Sequence, residues 1–202
     1  MRLVLTLVVG WTLIPPAAAS PSTLSSFALG GGGSRLGSEQ ARSAPPPTSL
    51  GVLGFGWKIL DSTPLYARAI AETFRLYSVA AEGAYQADRT RHEGIGAGLA
   101  LSWMFGDFHV EWSLTRGALD SNQSTPTGNI QKSFDYWSPR VEGGYAIFRS
   151  DTARVSVNYD LHSLRPDRAW QRDYGYKSVI TSQVLLAIYL SLSRNHRFLE
   201  AE

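Results

Sequence analysis

The stretch from Glu93 to Arg116 limits the possible fold more than any other, because its apolar alternation keeps phase across a two-residue turn. Ile95, Ala97, Leu99, Leu101, Trp103 and Phe105 share one parity, and Gly94, Gly96, Gly98, Ala100, Ser102 and Met104 the other. After Gly106-Asp107, the residues Phe108, Val110, Trp112 and Leu114 alternate with His109, Glu111, Ser113 and Thr115. Pairing Phe105 with Phe108 sets Trp103 against Val110, Leu101 against Trp112 and Ser102 against Glu111. Every large apolar residue except Met104 then lies on one face of the hairpin. About ten alternating residues per strand are enough for a tilted strand to cross a bilayer core. The expected fold is all-β: an antiparallel up-and-down transmembrane β-barrel, apolar side chains toward lipid, small and polar ones toward a narrow lumen.

The amino terminus carries an export signal. Arg2 supplies the positive start, Leu3 to Ile14 the apolar core, and Ala17-Ala18-Ala19 a small-residue cleavage site. The expected signal peptide is 1–19; the alternative is an uncleaved anchor, with an apolar core that is short for a span. The chain has no Cys, which excludes a lipid anchor on Cys, a disulfide framework and thiolate metal sites. Mean hydropathy of -0.12 does not decide between water and membrane, since a barrel hides its apolar band in alternation. Of nineteen basic residues, sixteen are Arg, against seventeen acidic ones, so the placement of the arginines carries more information than the net charge.

Residues 20–50, with Gly30 to Gly33 and Pro45 to Pro47, read as a flexible low-complexity segment. The barrel is expected over 51–198, followed by a tail at 199–202. Leu53, Phe55, Trp57 and Ile59 make an outward row in a first strand. Ser62 to Ala71 reads as a short helix or turn with Pro64 at its first position, followed by a strand from Phe74 to Gln86. Trp137 to Ile147 and Val155 to Leu161 alternate on either side of Arg149-Ser150-Asp151. Pairing Phe148 with Thr152 would put Arg140 opposite Asp160. A last strand runs from Tyr174 to Arg194. Short turns at Gly106-Asp107 and Arg149 to Asp151, against long loops at Gly117 to Ser133 and Ser163 to Asp173, put the short turns and the carboxy terminus in the periplasm. This reading finds seven strands, and bacterial barrels have even numbers. The eighth is sought at Ser22 to Leu29, with six and ten strands left open.

The alternation, the aromatic rims and the hairpin polarity over Gly51 to Phe198 resemble the small outer-membrane barrels of the OmpA and OmpX kind. The likeness is architectural and carries no family-specific motif. Phe198 lies on the outward parity, where such barrels place a terminal aromatic, but four residues follow it here. The resemblance implies outer-membrane lipid, lipopolysaccharide and the barrel assembly machinery as partners, and the cell outer membrane of a Gram-negative-type bacterium as the location.

Glu111, Arg140, Glu142, Arg154, Asp160, His162 and Lys177 fall on the inward parity and supply both signs of charge. In an eight-strand barrel they are expected to form a lumen network of ion pairs, because side chains fill so narrow an interior; extra strands would widen it toward a pore. His109, Glu111 and Ser113 invite a hydrolase reading, but alternate residues on one strand stand about 7 Å apart, too far for a nucleophile to reach its base. Lipid A deacylases use His, Ser and Glu with an H-x-S pattern, whereas here Ser163 directly follows His162. No catalytic residue is therefore assigned. The four His show no metal-ligand spacing, and neither glycine run has a nucleotide-site context. No metal, cofactor or nucleic-acid partner is expected. Arg165, Arg168 and Arg172 in the last long loop, beside Trp170 and Tyr174, have the forked donors that suit lipopolysaccharide phosphates; Arg89 and Arg91 lie in another outer loop.

The function read from this pattern is that of a non-enzymatic outer-membrane barrel with a structural, surface-interaction or limited-permeation role. Two alternatives remain at this stage: a lipid A-modifying enzyme, and a secreted soluble β-barrel whose apolar parity faces a core and binds an apolar ligand.

Overall fold

The computed structural model describes residues 23–36, 47–59, 63–79, 89–125, 128–174 and 178–192. Eight antiparallel strands close into a barrel in sequence order: β1 (Thr23–Leu36), β2 (Pro47–Lys58), β3 (Leu65–Val79), β4 (Arg89–Phe105), β5 (Phe108–Thr125), β6 (Gly128–Arg149), β7 (Ala153–Pro166) and β8 (Val179–Ser191). One helix, α1 (Arg168–Tyr174), sits between β7 and β8. Closure comes from β1 pairing with both β2 and β8, which leaves no sheet edge around the wall.

The β4–β5 hairpin holds the expected register from Phe105↔Phe108 up to Thr90↔Gln123. Gly106 adopts a positive φ of 53° in its turn, a conformation that favours glycine. Leu99, Trp103, Phe108 and Trp112 are exposed on the outside, whereas Ser102, His109, Glu111 and Ser113 are buried inside. The outward rows of β2, β6, β7 and β8 follow the same rule, with Leu53, Trp57, Tyr145, Tyr159, Leu186 and Leu190 exposed. The large-residue parity thus faces out, which removes the premise of a soluble barrel with an apolar core.

Several sequence expectations are corrected. Residues 20–50 are not one flexible segment: β1 occupies 23–36 and β2 starts at Pro47, while 37–46 lie outside the described residues. Glycine hides β1 from apolar periodicity, yet it is the residue the site requires. A Cβ at Gly30 or Gly32 would press into the carbonyl oxygens of Val184 or Ser182 on β8. No helix forms over the described residues 63–71; β3 runs from Leu65, paired with β2 and β4. Its outward row is Ala67, Ala69 and Ala71, so the period-two signal is weak. Of the strand read at Phe74 to Gln86, residues 74–79 belong to β3 and 80–88 are outside the described residues.

The long loops are also revised. Gly117 to Ser133 is mostly strand, with β5 reaching Thr125 and β6 starting at Gly128. Residues 128–133 are exposed throughout, whereas Leu119 and Ser121 on the facing strand are buried, so this hairpin carries its inward parity past the apolar belt. Pro166 ends β7 and α1 follows, so Arg165 is a strand residue and only Arg168 and Arg172 belong to the helix. Arg89 and Arg91 likewise fall on β4. Between β6 and β7 the register is Arg140↔His162 and Glu142↔Asp160, not Arg140 opposite Asp160. A bulge between Ala146 and Phe148 shifts the ladder, and a two-residue slip leaves side-chain parity unchanged. The last strand is Val179–Ser191, shorter than expected, because Tyr174 ends α1.

Candidate functional site

Two regions of the barrel concentrate chemistry: the filled lumen and the rim at the α1 end. Parity decides which side chains enter the lumen. Even-numbered residues of β3, β6, β7 and the middle of β4 point inward, as do the odd-numbered residues of β5 and β8. The middle layer is charged and buried: Arg68, Glu72, Glu111, Arg140, Glu142 and Asp160. Arg140 Nη2 donates to Glu111 Oε1 at 2.6 Å, and its guanidinium lies 3.6 Å from Glu142 and 3.5 Å from Asp160. Arg68, on β3, pairs with Glu111 on β5 and with Ser26 on β1. Two guanidiniums therefore link β1, β3, β5, β6 and β7 and contact three of the layer's four carboxyls.

Glu72 and Glu142 also hold hydroxyl, amide and imidazole partners. Glu72 Oε1 accepts from Thr115 Oγ1 (2.5 Å) and Tyr136 OH (3.1 Å), with His162 Nε2 at 3.9 Å. Glu142 Oε1 accepts from Asn158 Nδ2 (2.5 Å) and Tyr189 OH (3.3 Å) and lies 3.2 Å from His109 Nε2. Arg154 stands apart from this layer. Its guanidinium donates to Gly106 O (2.9 Å) and Asp107 O (2.7 Å), sealing the short-turn end over the neighbouring hairpin. Of the seven lumen residues proposed from sequence, Glu111, Arg140, Glu142 and Asp160 meet directly and His162 joins through Glu72, while Lys177 lies outside the described residues. Sequence reading missed Arg68, which sits in the stretch taken for a helix, and Glu72, which falls just after it; their period-two partners Tyr66, Ile70 and Phe74 were the available signal.

No Ser–His pair forms among the residues that prompted the hydrolase reading. Ser113 Oγ accepts from Arg140 Nε (3.2 Å), and His109 faces Glu142 and Tyr189. A Ser121–His92 contact of 2.6 Å does exist, but both side chains are buried at the α1 end, with Trp170 and Tyr174 packed on the His92 ring. Among the described residues no three His, Asp or Glu converge to hold a metal.

The α1 end is closed by apolar packing. Asp167 caps the helix through its Oδ1, which accepts from Trp170 N at 2.9 Å. Trp170 is fully buried, in one cluster with Phe134, Leu119, Leu164, Val179 and Leu50. Lys132 Nζ clasps Asp173 at 2.8 Å and ties the helix to the projecting β5–β6 hairpin. That contact holds the Asp173 carboxyl below, and the Lys132 ammonium above, its usual range.

Arginines ring the outside just beyond the apolar band. Arg116, Trp137 and Arg165 stand side by side in register on β5, β6 and β7. The Arg116 guanidinium lies 5.4 Å from the Trp137 ring centroid and 3.5 Å from Asp135. On β3 and β4, Arg75 and Arg91 share Glu93. Arg168 and Arg172 lie one helical turn apart, both exposed, and Arg172 contacts Asp173 at 3.4 Å. The three arginines proposed from sequence are thus divided: Arg165 faces sideways at the rim, the other two project from the helix.

No protein-family model matches the chain, and no curated protein matches it in sequence. Solved structures do share its fold. Neisserial surface protein A is similar with a TM-score of 0.52 and 9% identity, over 87% of this chain and 100% of that one. Ail, the attachment invasion locus protein of Yersinia pestis, gives 0.51 and 12%, over 83% and 98%. The same protein in complex with the heparin analogue sucrose octasulfate gives 0.50 and 10%, over 85% and 99%. The chain has the fold of these small barrels, as the OmpA and OmpX resemblance implied.

Proposed function

We propose that this chain is an outer-membrane protein with a closed barrel, serving envelope structure and surface interaction, with the outer leaflet's lipopolysaccharide as its lipid contact. The observation that carries the reading is the in-register row of Arg116, Trp137 and Arg165 at the upper edge of the apolar belt. At that height an indole sits at the headgroup level and guanidiniums meet phosphate oxygens, which they bind in a forked geometry. Arg165 makes no ion pair among the described residues, so its donors remain available to a phosphate. Arg168 and Arg172 extend the positive surface over the mouth. Sucrose octasulfate bound by a barrel of this fold is another polyanion, and sulfate and phosphate esters call on the same donors.

The test replaces Arg165, Arg168 and Arg172 together with Gln and measures lipopolysaccharide binding by the refolded barrel over a salt series. The variant should assemble normally and bind more weakly, and added salt should weaken the parent more than the variant. Equal binding at low salt would reject the contact. The surface role differs from permeation in one physical respect: packed side chains fill the lumen in three layers, apolar beneath Trp170, charged around Arg140, and tyrosine-rich around Tyr66 and Tyr189.

A further inference from the structure

The outer wall carries a groove on β5, β6 and β7 toward the short-turn end, away from the row of Arg116, Trp137 and Arg165 on the same strands. It opens between β5, β6 and β7 with a volume of about 650 Å³, and Phe105, Phe108, Val110, Gly143, Tyr145 and Tyr159 form most of its lining. Gly143 makes the depth. It stands on the outward parity between Val110 and Tyr159, and a Cβ placed there would meet no atom within 4 Å. Its backbone does not need glycine, since positive φ is confined to Gly106 and Gly128 among the described glycines. The ring of Phe108 packs on Tyr145 at 5.2 Å and on Phe105 at 6.1 Å, walling the lower end.

A pair of opposite charges lies at the foot of that wall. Tyr145 OH donates to Asp107 Oδ2 at 3.5 Å, and Arg149 Nε lies 3.2 Å from Asp107 Oδ1 in an ion pair. The Asp107 side chain is 44% exposed. An apolar trough that ends on an ion pair, with Asp107 the more open member and Arg149 17% exposed, complements a lipid with an acyl chain and a zwitterionic headgroup that exchanges partners with that pair.

We infer that this groove is a binding site for one glycerophospholipid of the periplasmic leaflet, carrying an amino headgroup. One acyl chain lies over Gly143 between the rings of Tyr145 and Tyr159, the phosphate reaches Arg149, and the ammonium reaches Asp107. The inference rests on the membrane placement proposed above, which sets the short turns in the periplasm, and is independent of the arginine contacts with lipopolysaccharide.

The experiment offers phosphatidylethanolamine or phosphatidylglycerol to the detergent-purified barrel and counts bound lipid by native mass spectrometry. A heat-modifiability gel on each sample reports barrel closure separately. The parent should hold one phosphatidylethanolamine in preference to phosphatidylglycerol. Gly143→Phe fills the trough and should lose the adduct, and Phe108→Ala, which removes a wall, should weaken it should the first variant not fold. Asp107→Asn should cut the preference for the amino lipid by about two- to fivefold, the range of an exposed ion pair. The triple Gln variant at Arg165, Arg168 and Arg172 should keep the adduct. Equal retention of both lipids by the parent, unchanged binding in closed Gly143→Phe, or a dimer in place of the lipid adduct would each overturn the site.

Discussion

Arg140 is the residue on which the lumen depends most. Its guanidinium faces three carboxylates on β5, β6 and β7, and it is 2% exposed, so water cannot compensate for its loss. Replacing one member of a buried ion network leaves its partners uncompensated, at a cost of about 3–5 kcal/mol. Arg140→Gln should therefore lower the unfolding free energy by that order in urea titrations of the barrel in lipid vesicles. Adding Glu111→Gln should recover part of the loss, and strictly additive losses would show the two side chains uncoupled. Outside the wall the sign of the argument reverses. Leu101 is exposed among Trp103 and Leu99 on the same row, and Leu101→Arg should destabilise insertion by about 2–4 kcal/mol if that row lies near the midplane. An unchanged unfolding curve for that variant would mean the row does not face lipid.

At the scale of elements, the parts legible in the sequence were those whose register a tight turn fixes. The Gly106-Asp107 turn sets β4 against β5 without ambiguity, and the polarity of the hairpin follows. Alternation alone could not separate two registers of β6 on β7 that differ by two residues, and the bulge between Ala146 and Phe148 chose one that Arg149 to Asp151 did not signal. Residue type defeated the reading elsewhere. Alanines concealed β3, and with it Arg68 and Glu72; glycines concealed β1. The helix α1 was missed because its cap, Asp167, and its buried anchor, Trp170, sit in a seven-residue turn of helix too short for a periodic pattern. The clasp that holds this helix responds to acid. Asp173 has a lowered pKa through its Lys132 contact, so the stability it lends is present above its unfolded value and disappears as pH falls through the folded one. Hydrogen exchange at α1 should accelerate on acidification in that carboxylate range, and Lys132→Met should reduce the dependence to what the Arg172 contact alone sustains. An identical pH profile in the variant would rule the clasp out.

For the whole molecule, the question is whether eight strands enclose a path or a plug. A barrel of this size has an interior that side chains just fill, and the order of the layers matters more than the diameter. An ion entering from the α1 end meets Trp170, Phe134, Leu119 and Leu164, which offer it no ligands. Beneath them the charged layer offers ligands, but Arg68 and Arg140 occupy it, Arg68 reaching Ser26 and Glu111 and Arg140 reaching Glu111, Glu142 and Asp160. At the short-turn end Arg154 covers the exit, held by two backbone carbonyls. Three seals in series mean that removing one does not make a channel. The wild-type barrel in a planar bilayer should show no conductance steps above bare lipid, and Trp170→Ala should show none either, although it should melt at a lower temperature because a large buried ring costs about 3–5 kcal/mol to delete. A variant lacking Trp170 and both central arginines tests the remaining seal. Stable conductance steps from the wild-type protein would assign it a permeation role, and steps from Trp170→Ala alone would make α1 its gate.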